Sequence, residues 1–397
     1  MLIFHTHLHF FQGGSKMIFE LSKKIRKNEK ITLIIHNGKN EYIRLFEKER
    51  IHVMNLKSSS TNSVKYWLFL PFYVARESIM IINHVNRRKE LQKEKIMTTT
   101  FPSHIVGYIV SKLTNLPYYT YCFEPYPFFY NKNFMWSNGL IKGILFIVIK
   151  YAYSWMDRLA LVKSFGIFTL NKITQKTIFR IYHKRSIVTL MGVDTNHFKP
   201  SHNHKIEKKY KNHFVILHST DYSRMKKTEL AIQIFALVIK KIPNAILLIT
   251  STRPMVKEKY FYVNLIRNLN LKKQVHLLNY VPYKKLPVYY SLADCYLSCS
   301  YDEMLGTTSS NLPVKEAMAC ETPAIRSNIT DEDVKDGISG YLVNPQDINN
   351  VSKTLVKFIQ LPSVKKRAMG KAARRKIVSS YNWNFAAGKI TEAMSYH

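Results

Sequence analysis

The sequence predicts an α/β protein built from two consecutive doubly wound domains, and three observations support this prediction. The chain has 397 residues, more than one hydrophobic core comfortably accommodates. Apolar strand-like segments alternate with amphipathic helical segments in both halves, which is typical of parallel sheets covered by helices. A polar stretch at residues 201–211 separates the two series, so we place the domain boundary before it.

The first half of the chain, residues 1–200, shows this alternation from its start. The apolar segment Met1–Phe10 has no basic region and runs into Gly13–Gly14, so we predict a first strand there and not a signal peptide. The segments that follow are helix Ser15–Arg26, strands Lys30–Ile35 and Ile51–Leu56, a further unit at Ile79–Asn83, helix Ile105–Leu113 and strand Tyr118–Cys122.

The second half, residues 201–379, repeats the pattern. Its predicted strands are Phe214–His218, Ala245–Thr250, Val275–Leu278, Cys295–Ser298 and Ala324–Arg326, and its predicted helices are Thr228–Lys241, Phe261–Leu269 and Leu286–Ala293. Doubly wound sheets bind ligands at the carboxyl ends of their strands, so we expect a ligand in the cleft between the domains.

The charge predicts an anionic partner, because 60 Lys and Arg residues against 26 Asp and Glu residues give a net charge of +34. Nucleotide bias in the source genome is an alternative cause of this composition. No nucleic-acid-binding motif is present, so anionic lipid or a phosphate-bearing substrate is the expected partner.

The apolar run Gly143–Ile149 is far shorter than the ~20 residues that a bilayer span needs. Four irregularly spaced cysteines predict core residues and neither a disulfide framework nor a zinc site. We therefore expect a cytoplasmic protein.

Two polar segments of the second half have the chemistry of an anion-binding site. Ser309–Cys320 is predicted to be a loop running into a short helix that opens at Glu316, and backbone N–H groups and a carboxylate there suit a nucleotide sugar. Arg224, Lys226 and Lys227 precede a helix, where cations can hold a diphosphate; a solvated basic helix start is the alternative.

These segments belong to an ordered series of motifs that resembles the retaining glycosyltransferases of family four, also described as glycosyl transferases group 1. The series is Gly13–Gly14, Gly192–Asp194, Phe198–Pro200, His218–Lys227, Leu292–Asp294, Glu316–Ala319, Asp336–Val343 and Tyr381–Trp383. The resemblance implies the GT-B fold, in which two Rossmann-like domains face each other across a cleft. Residues 1–200 would then bind the acceptor and residues 201–379 the nucleotide sugar, and a helix within residues 380–397 would return to the first domain.

The resemblance also implies an activity and a set of site residues. A hexose would pass from a UDP-, GDP- or ADP-hexose to a glycan or lipid-linked glycan, without cofactor or metal. The Asp331–Asp333 stretch is therefore expected to cap a helical turn and not to bind a metal. The catalytic residues would be Glu316, Lys226 and Arg224, and the donor-binding residues Gly13, Gly14, Lys227, Asn311 and Leu312.

The sequence departs from the family pattern at two places. The carboxylate that precedes Glu316 in the family is replaced by Thr308 in an ungapped alignment, whereas an insertion would bring Glu303 to this position. No histidine follows Tyr121, so Glu124 and His104 are the acceptor-side candidates. These departures leave open an inactive homologue that acts as a binding or scaffold subunit. Under the leading hypothesis, the basic first domain is expected to touch the cytoplasmic face of an anionic membrane as a peripheral protein.

Overall fold

The computed structural model of the chain describes residues 1–9, 13–59, 64–130, 140–222, 226–251, 259–301, 311–328 and 332–395. The chain divides into two compact units. One unit comprises Met1–Gly192 together with Trp383–His397, and the other comprises Val193–Asn382. Each unit contains one parallel sheet with helices between its strands, which confirms the predicted α/β class.

The sheet of the first unit has seven strands in the order β3-β2-β1-β4-β5-β6-β7. These strands are β1 (Leu2–Leu8), β2 (Thr32–Gly38), β3 (His52–Asn55), β4 (Ile96–Thr98), β5 (Tyr118–Cys122), β6 (Ile167–Thr169) and β7 (Ile187–Val188). The α-helices are Gly14–Ile25, Asn40–Lys48, Val64–Leu68, Leu70–Asn86, Ser103–Thr114, Pro127–Tyr130, Leu140–Lys163, Lys172–Tyr182 and Trp383–Ser395. All paired strands are parallel, so their carboxyl ends share one edge of the sheet.

One predicted element of this unit is wrong. Ile79–Asn83 was expected as a separate unit of the alternation, but it lies inside helix Leu70–Asn86. The helix buries Val74, Ile81 and Val85 on one face. A short apolar run is compatible with either a strand or a buried helix, and only the longer helical spacing distinguishes them.

The C-terminal helix Trp383–Ser395 completes the first unit by packing on helix Gly14–Ile25. Its end is held by the Lys95 ammonium group, which donates to the carbonyl of Met394. Trp383, Ala386 and Ile390 are buried on one side of this helix. The apolar face of the helix therefore contributes to the core of the first unit.

A buried carboxyl group, Asp157, lies in helix Leu140–Lys163 of this unit. The hydroxyl groups of Tyr130 and Tyr182 donate to its Oδ2 atom at 3.0 and 2.8 Å. Burial raises the pKa of Asp157 from 3.8 to about 6, although the two hydroxyl groups act in the opposite direction. Near neutral pH the folded protein therefore holds a costly buried negative charge.

This buried charge predicts a pH-dependent contribution to stability. The folded state keeps the Asp157 proton up to about pH 6, whereas an unfolded chain loses it near pH 4. The stabilisation is therefore present below pH 4 and is lost as the pH rises through 6, by roughly 3 kcal/mol. Between pH 4 and pH 7, the free energy of unfolding of Asp157→Asn, measured with urea, should rise by that amount relative to that of the wild type. The exposed Glu392→Gln is the matched control, and a constant difference between Asp157→Asn and the wild type would contradict this interpretation.

The second unit contains a six-stranded parallel sheet in the order β10-β9-β8-β11-β12-β13. These strands are β8 (Phe214–Thr220), β9 (Ala245–Ser251), β10 (Val275–Tyr280), β11 (Cys295–Ser298), β12 (Ala324–Ser327) and β13 (Gly340–Val343). The α-helices are His204–Tyr210, Thr228–Val238, Lys259–Asn268, Leu286–Leu292, Leu312–Ala319, Ile348–Ile359 and Ser363–Ser380. The polar stretch at residues 201–211 therefore includes a short helix that belongs to this unit.

The core of the second unit lies between its sheet and the covering helices. It includes Ile216, Leu247 and Leu297 from the strands and Phe235 and Leu355 from the helices, all fully buried. The strands are apolar on both faces, as expected for a parallel sheet that is covered on both sides. Over the described part of the chain, no helix is both long enough and apolar enough to cross a bilayer.

Candidate functional site

The candidate site of the second unit lies where its strand order reverses. Strands β8 and β11 are neighbours in the sheet although two strands separate them in the chain. The connections that leave these two strands therefore run in opposite directions and open a crevice at their carboxyl ends. The segment before helix Thr228–Val238 follows β8, and the segment before helix Leu312–Ala319 follows β11.

Glu316 lies in the second turn of helix Leu312–Ala319 and not at its start, which corrects the predicted start of the helix. Pro313 occupies the first turn, where its missing N–H group costs no helical hydrogen bond. The Glu316 carboxylate is buried and accepts a hydrogen bond from the Tyr290 hydroxyl at 3.0 Å. Tyr290 is itself buried, so it fixes the position of this carboxylate.

Lys226 from the β8 connection shares the electrostatic environment of Glu316. Burial lowers the pKa of the Lys226 ammonium group, while the carboxylates of Asp221 and Glu316 favour its charged form. The structure therefore brings together a cation and a carboxylate from the two connections that flank the reversal point. Such a pair can bind the phosphate and the hydroxyl groups of one ligand.

A network of buried polar side chains holds the connection after β8. The His218 ring contacts the Leu297 carbonyl oxygen through Nδ1 at 3.0 Å and the Thr228 hydroxyl through Nε2 at 3.2 Å. The hydroxyl oxygens of Thr228 and Thr220 lie 2.7 Å apart. Burial lowers the pKa of His218 to about 4, so this ring is neutral at pH 7. The network therefore links the ends of β8 and β11 to the start of helix Thr228–Val238.

The other donor-side residues predicted from the sequence lie at the starts of the two helices. Lys227 precedes helix Thr228–Val238 with φ of 49°, and its ammonium group lies 4.8 Å from the centre of the Tyr301 ring. The Asn311 side chain donates to the Ser298 hydroxyl at 2.6 Å and so anchors the helix that begins at Leu312. Arg224, Glu303 and Thr308 lie outside the described residues.

A buried cluster of charges lies behind the helix that carries Glu316. The Lys315 ammonium group is 3.2 Å from Oδ2 of Asp333, and the Arg326 guanidinium group contacts Oδ1 of the same carboxylate. All three side chains are buried. Asp333 was expected to cap a helical turn, but its carboxylate instead forms ion pairs with both cations. The charge triad of Lys315, Arg326 and Asp333 therefore joins this helix to β12.

The first unit has its own reversal point, between β1 and β4. The ring of His5 contacts the Thr99 hydroxyl through Nδ1 at 2.8 Å and the Ser15 hydroxyl through Nε2 at 3.2 Å. Burial, with smaller contributions from His7 and His36, lowers the pKa of His5 to about 3. These contacts tie helix Gly14–Ile25 to the ends of both strands.

The remaining predicted residues of the first unit also lie near this edge of the sheet. Gly13 has φ of 51°, a conformation that favours glycine, and a Cβ atom on Gly14 would lie 2.8 Å from the Phe123 ring. Glu124 follows Phe123 and is exposed. His104 is buried against the Thr98 hydroxyl at 3.0 Å, and burial lowers its pKa to about 3. Glu124 is therefore accessible to an acceptor, whereas His104 is a neutral core side chain.

Two residues of the candidate site were missed by sequence reasoning. Tyr290 reaches Glu316 from helix Leu286–Leu292, and Tyr290 itself lies outside the motifs noted in the sequence. Asp221 lies in the segment His218–Lys227 that was noted in the sequence. Its role becomes visible only in the structure, where its carboxylate favours the charged form of Lys226. Among the described residues, no three His, Cys, Asp or Glu side chains form a group suited to hold a metal ion.

Comparison with known proteins finds a family model that matches most of the second unit. Residues 201–376 match the model of the glycosyl transferases group 1 family. A segment of 86 residues is 31% identical to the O-antigen chain mannosyltransferase B of Escherichia coli. This segment represents 22% of the chain and 21% of that relative, so the match spans about a fifth of the relative's length.

Solved structures share the fold over nearly the whole chain. A glycosyltransferase from Rickettsia africae has a TM-score of 0.77 at 17% identity, with 98% of this chain and 97% of that chain covered. Anabaena HepE in complex with UDP and glucose has a TM-score of 0.75 at 16% identity, with both chains fully covered. The chain therefore has the α/β GT-B fold of these glycosyltransferases.

Proposed function

We propose that this chain, whose residues 201–376 match the glycosyl transferases group 1 family, moves a hexose from a nucleotide sugar to a glycan or lipid-linked glycan. The observation that carries this proposal is that Lys226 and Glu316 lie on the two connections that flank the reversal point of the second sheet, where the Glu316 carboxylate favours the charged form of Lys226. A solved relative of this fold binds UDP and glucose, and this supports a nucleotide-sugar donor.

The donor would occupy the carboxyl edge of the second sheet. Glu316 would accept hydrogen bonds from the ribose hydroxyl groups, and Tyr290 would keep its second oxygen in place. Lys226, with Arg224 as its expected partner, would stabilise the diphosphate as the bond to the sugar breaks. Lys227, Asn311 and Leu312 would shape the donor pocket. Glu303 or Thr308 would then contact the transferred sugar.

The first unit would provide the acceptor side of the reaction. Gly13 and Gly14 would let the backbone approach the donor phosphate closely. The exposed Glu124 would contact an acceptor hydroxyl group, and His104 would support the end of β4 from within the core through its contact with the Thr98 hydroxyl. The resemblance to family four supports retention of the anomeric configuration, which proton NMR of the product would test.

Calorimetry and a transfer assay test this proposal together. The purified protein would be titrated with UDP-, GDP- and ADP-hexoses, and release of the nucleoside diphosphate would be followed with glycan acceptors. Saturable binding of one donor with turnover is the expected result. Binding without turnover on any acceptor would favour the alternative of a scaffold subunit. The proposal would be contradicted if the protein bound none of these donors and hydrolysed none of them.

Glu316→Gln is expected to weaken donor binding about 10–100-fold, because a neutral amide accepts weaker hydrogen bonds from the ribose than a carboxylate does. Glutamine can still accept the hydrogen bond of Tyr290, so the fold should be preserved. Calorimetry measures the change in Kd. The matched control is Glu321→Gln, a partly exposed residue just after the same helix. Equal Kd values for the wild type and Glu316→Gln would remove Glu316 from the donor site.

A further inference from the structure

Among its described side chains, helix Leu140–Lys163 of the first unit has one buried apolar face and one exposed apolar face. Ile149, Tyr153, Met156 and Ala160 point into the core of the unit. The opposite face carries a row of six large, exposed apolar side chains, which we call the outer stripe. The members of the outer stripe are Ile144, Val148, Tyr151, Trp155, Leu159 and Val162.

The outer stripe is continuous along the helix. Its members are spaced by three or four residues, so they form a single line along one face over most of the helix. Tyr151 is 77% exposed and Trp155 is 59% exposed. A lone exposed apolar residue is ordinary, but a continuous row of this length marks an interaction surface.

More exposed apolar residues lie next to this helix. The Tyr153 hydroxyl donates to the carbonyl of Trp67 at 2.8 Å, and the residues that follow in the chain, Leu68 and Phe69, are both exposed. Phe72, in the first turn of the next helix, is exposed as well. Exposed apolar side chains are therefore also present on the segment that Tyr153 contacts.

The chemistry of the outer stripe suits a lipid surface. Tyr and Trp combine an apolar ring with a polar atom, and both residues are enriched where lipid meets water. The Trp155 indole N–H group donates to the Ala152 carbonyl at 2.8 Å, so the ring can enter an apolar phase without losing a hydrogen bond. The exposed Arg158 and Lys163 flank the stripe on its two sides.

The net charge of the chain distinguishes between two possible partners of the outer stripe, a second copy of the chain and a lipid bilayer. A chain with a net charge of +34 repels a second copy of itself and is attracted to an anionic bilayer. From the exposed apolar row, its aromatic members and its basic flanks, we infer that the outer stripe docks this protein on a membrane rich in anionic phospholipid. The helix lies in the plane of the interface and does not span the bilayer.

The position of this helix connects docking to the proposed reaction. Strands β5 and β6 are parallel, so the helix between them starts at the carboxyl edge of the sheet and runs back to the opposite edge. Glu124 follows β5 at that same edge. The docking surface itself does not depend on the proposed sugar transfer. The identification of the acceptor as a lipid-linked glycan does rest on that proposed transfer.

Vesicle co-sedimentation tests the docking surface. Wild-type protein would be mixed with vesicles of phosphatidylcholine alone and with vesicles containing phosphatidylglycerol. We expect binding only to the anionic vesicles, with a partition constant at least tenfold lower for the double variant Val148→Ser/Trp155→Ser. Tyr260→Ser/Phe261→Ser is the matched control, because both residues are exposed and lie on a helix of the second unit. This control should bind like the wild type.

Other outcomes would overturn the inference. A Val148→Ser/Trp155→Ser variant that binds anionic vesicles like the wild type would exclude the outer stripe, and a wild type that binds no vesicles would exclude the membrane. If the wild type were a dimer that bound no vesicles, and Val148→Ser/Trp155→Ser were a monomer, the outer stripe would contact a second copy of the chain and not a membrane. Donor titration of the same variant keeps the proposals separate, because intact donor binding with lost vesicle binding concerns only the docking surface.

Discussion

We expect Lys226→Met to lower kcat of sugar transfer about 10²–10³-fold, the cost of removing one preorganised group that stabilises charge in the transition state. The diphosphate gains negative charge as the bond to the sugar breaks, and methionine retains the length of the side chain without its charge. The ammonium group pays a burial cost that lowers its pKa, so its removal should not destabilise the fold. Steady-state kinetics and thermal unfolding measure the two effects.

The control for this variant is Lys240→Met. Lys240 is exposed and lies in the turn between helix Thr228–Val238 and β9, on the edge of the sheet opposite to the candidate site. We expect Lys240→Met to leave kcat and KM unchanged. An unchanged kcat in Lys226→Met, or an equal fall in both variants, would show that Lys226 does not stabilise the leaving group.

The second large effect is expected from Asp333→Ala, which should destabilise the second unit by about 3–5 kcal/mol. Without the Asp333 carboxylate, the charges of Lys315 and Arg326 remain buried with no neutralising partner in the triad. Urea unfolding followed by circular dichroism measures the loss. Asp333→Asn keeps a hydrogen-bond acceptor but removes the charge, so its stability should fall between those of the wild type and Asp333→Ala.

The neighbouring residue is the control for the charge triad. Glu332 is exposed and precedes Asp333 directly, so Glu332→Ala should change the stability by less than about 1 kcal/mol. Equal unfolding midpoints for Asp333→Ala and the wild type would contradict a neutralising role of this carboxylate.

The long strands of the second sheet could be predicted from the sequence, because β8, β9 and β10 have six or seven residues and are strongly apolar. The predicted Cys295–Ser298 matches β11, and the predicted starts of β8, β9 and β10 are correct. Strands β4, β6 and β7 were missed, because two or three residues show no detectable alternation.

The candidate site could be predicted only in part, because motifs identify side chains but not their partners. Glu316 and Lys226 were identified from loop chemistry and resemblance. The Tyr290 contact joins segments that are distant in the chain, so no local pattern could reveal it. Asp333 looked like a capping residue, and only the fold shows that it is buried between Lys315 and Arg326.

Amide hydrogen exchange tests most directly the central claim that a nucleotide sugar binds at the carboxyl edge of the second sheet. Exchange would be compared with and without saturating UDP, GDP and ADP. We predict that one of these nucleotides slows exchange in residues 216–228 and 311–320, and that Glu316→Gln reduces this protection at equal nucleotide concentration. Protection confined to other segments, or no protection with any of the three nucleotides, would contradict the account.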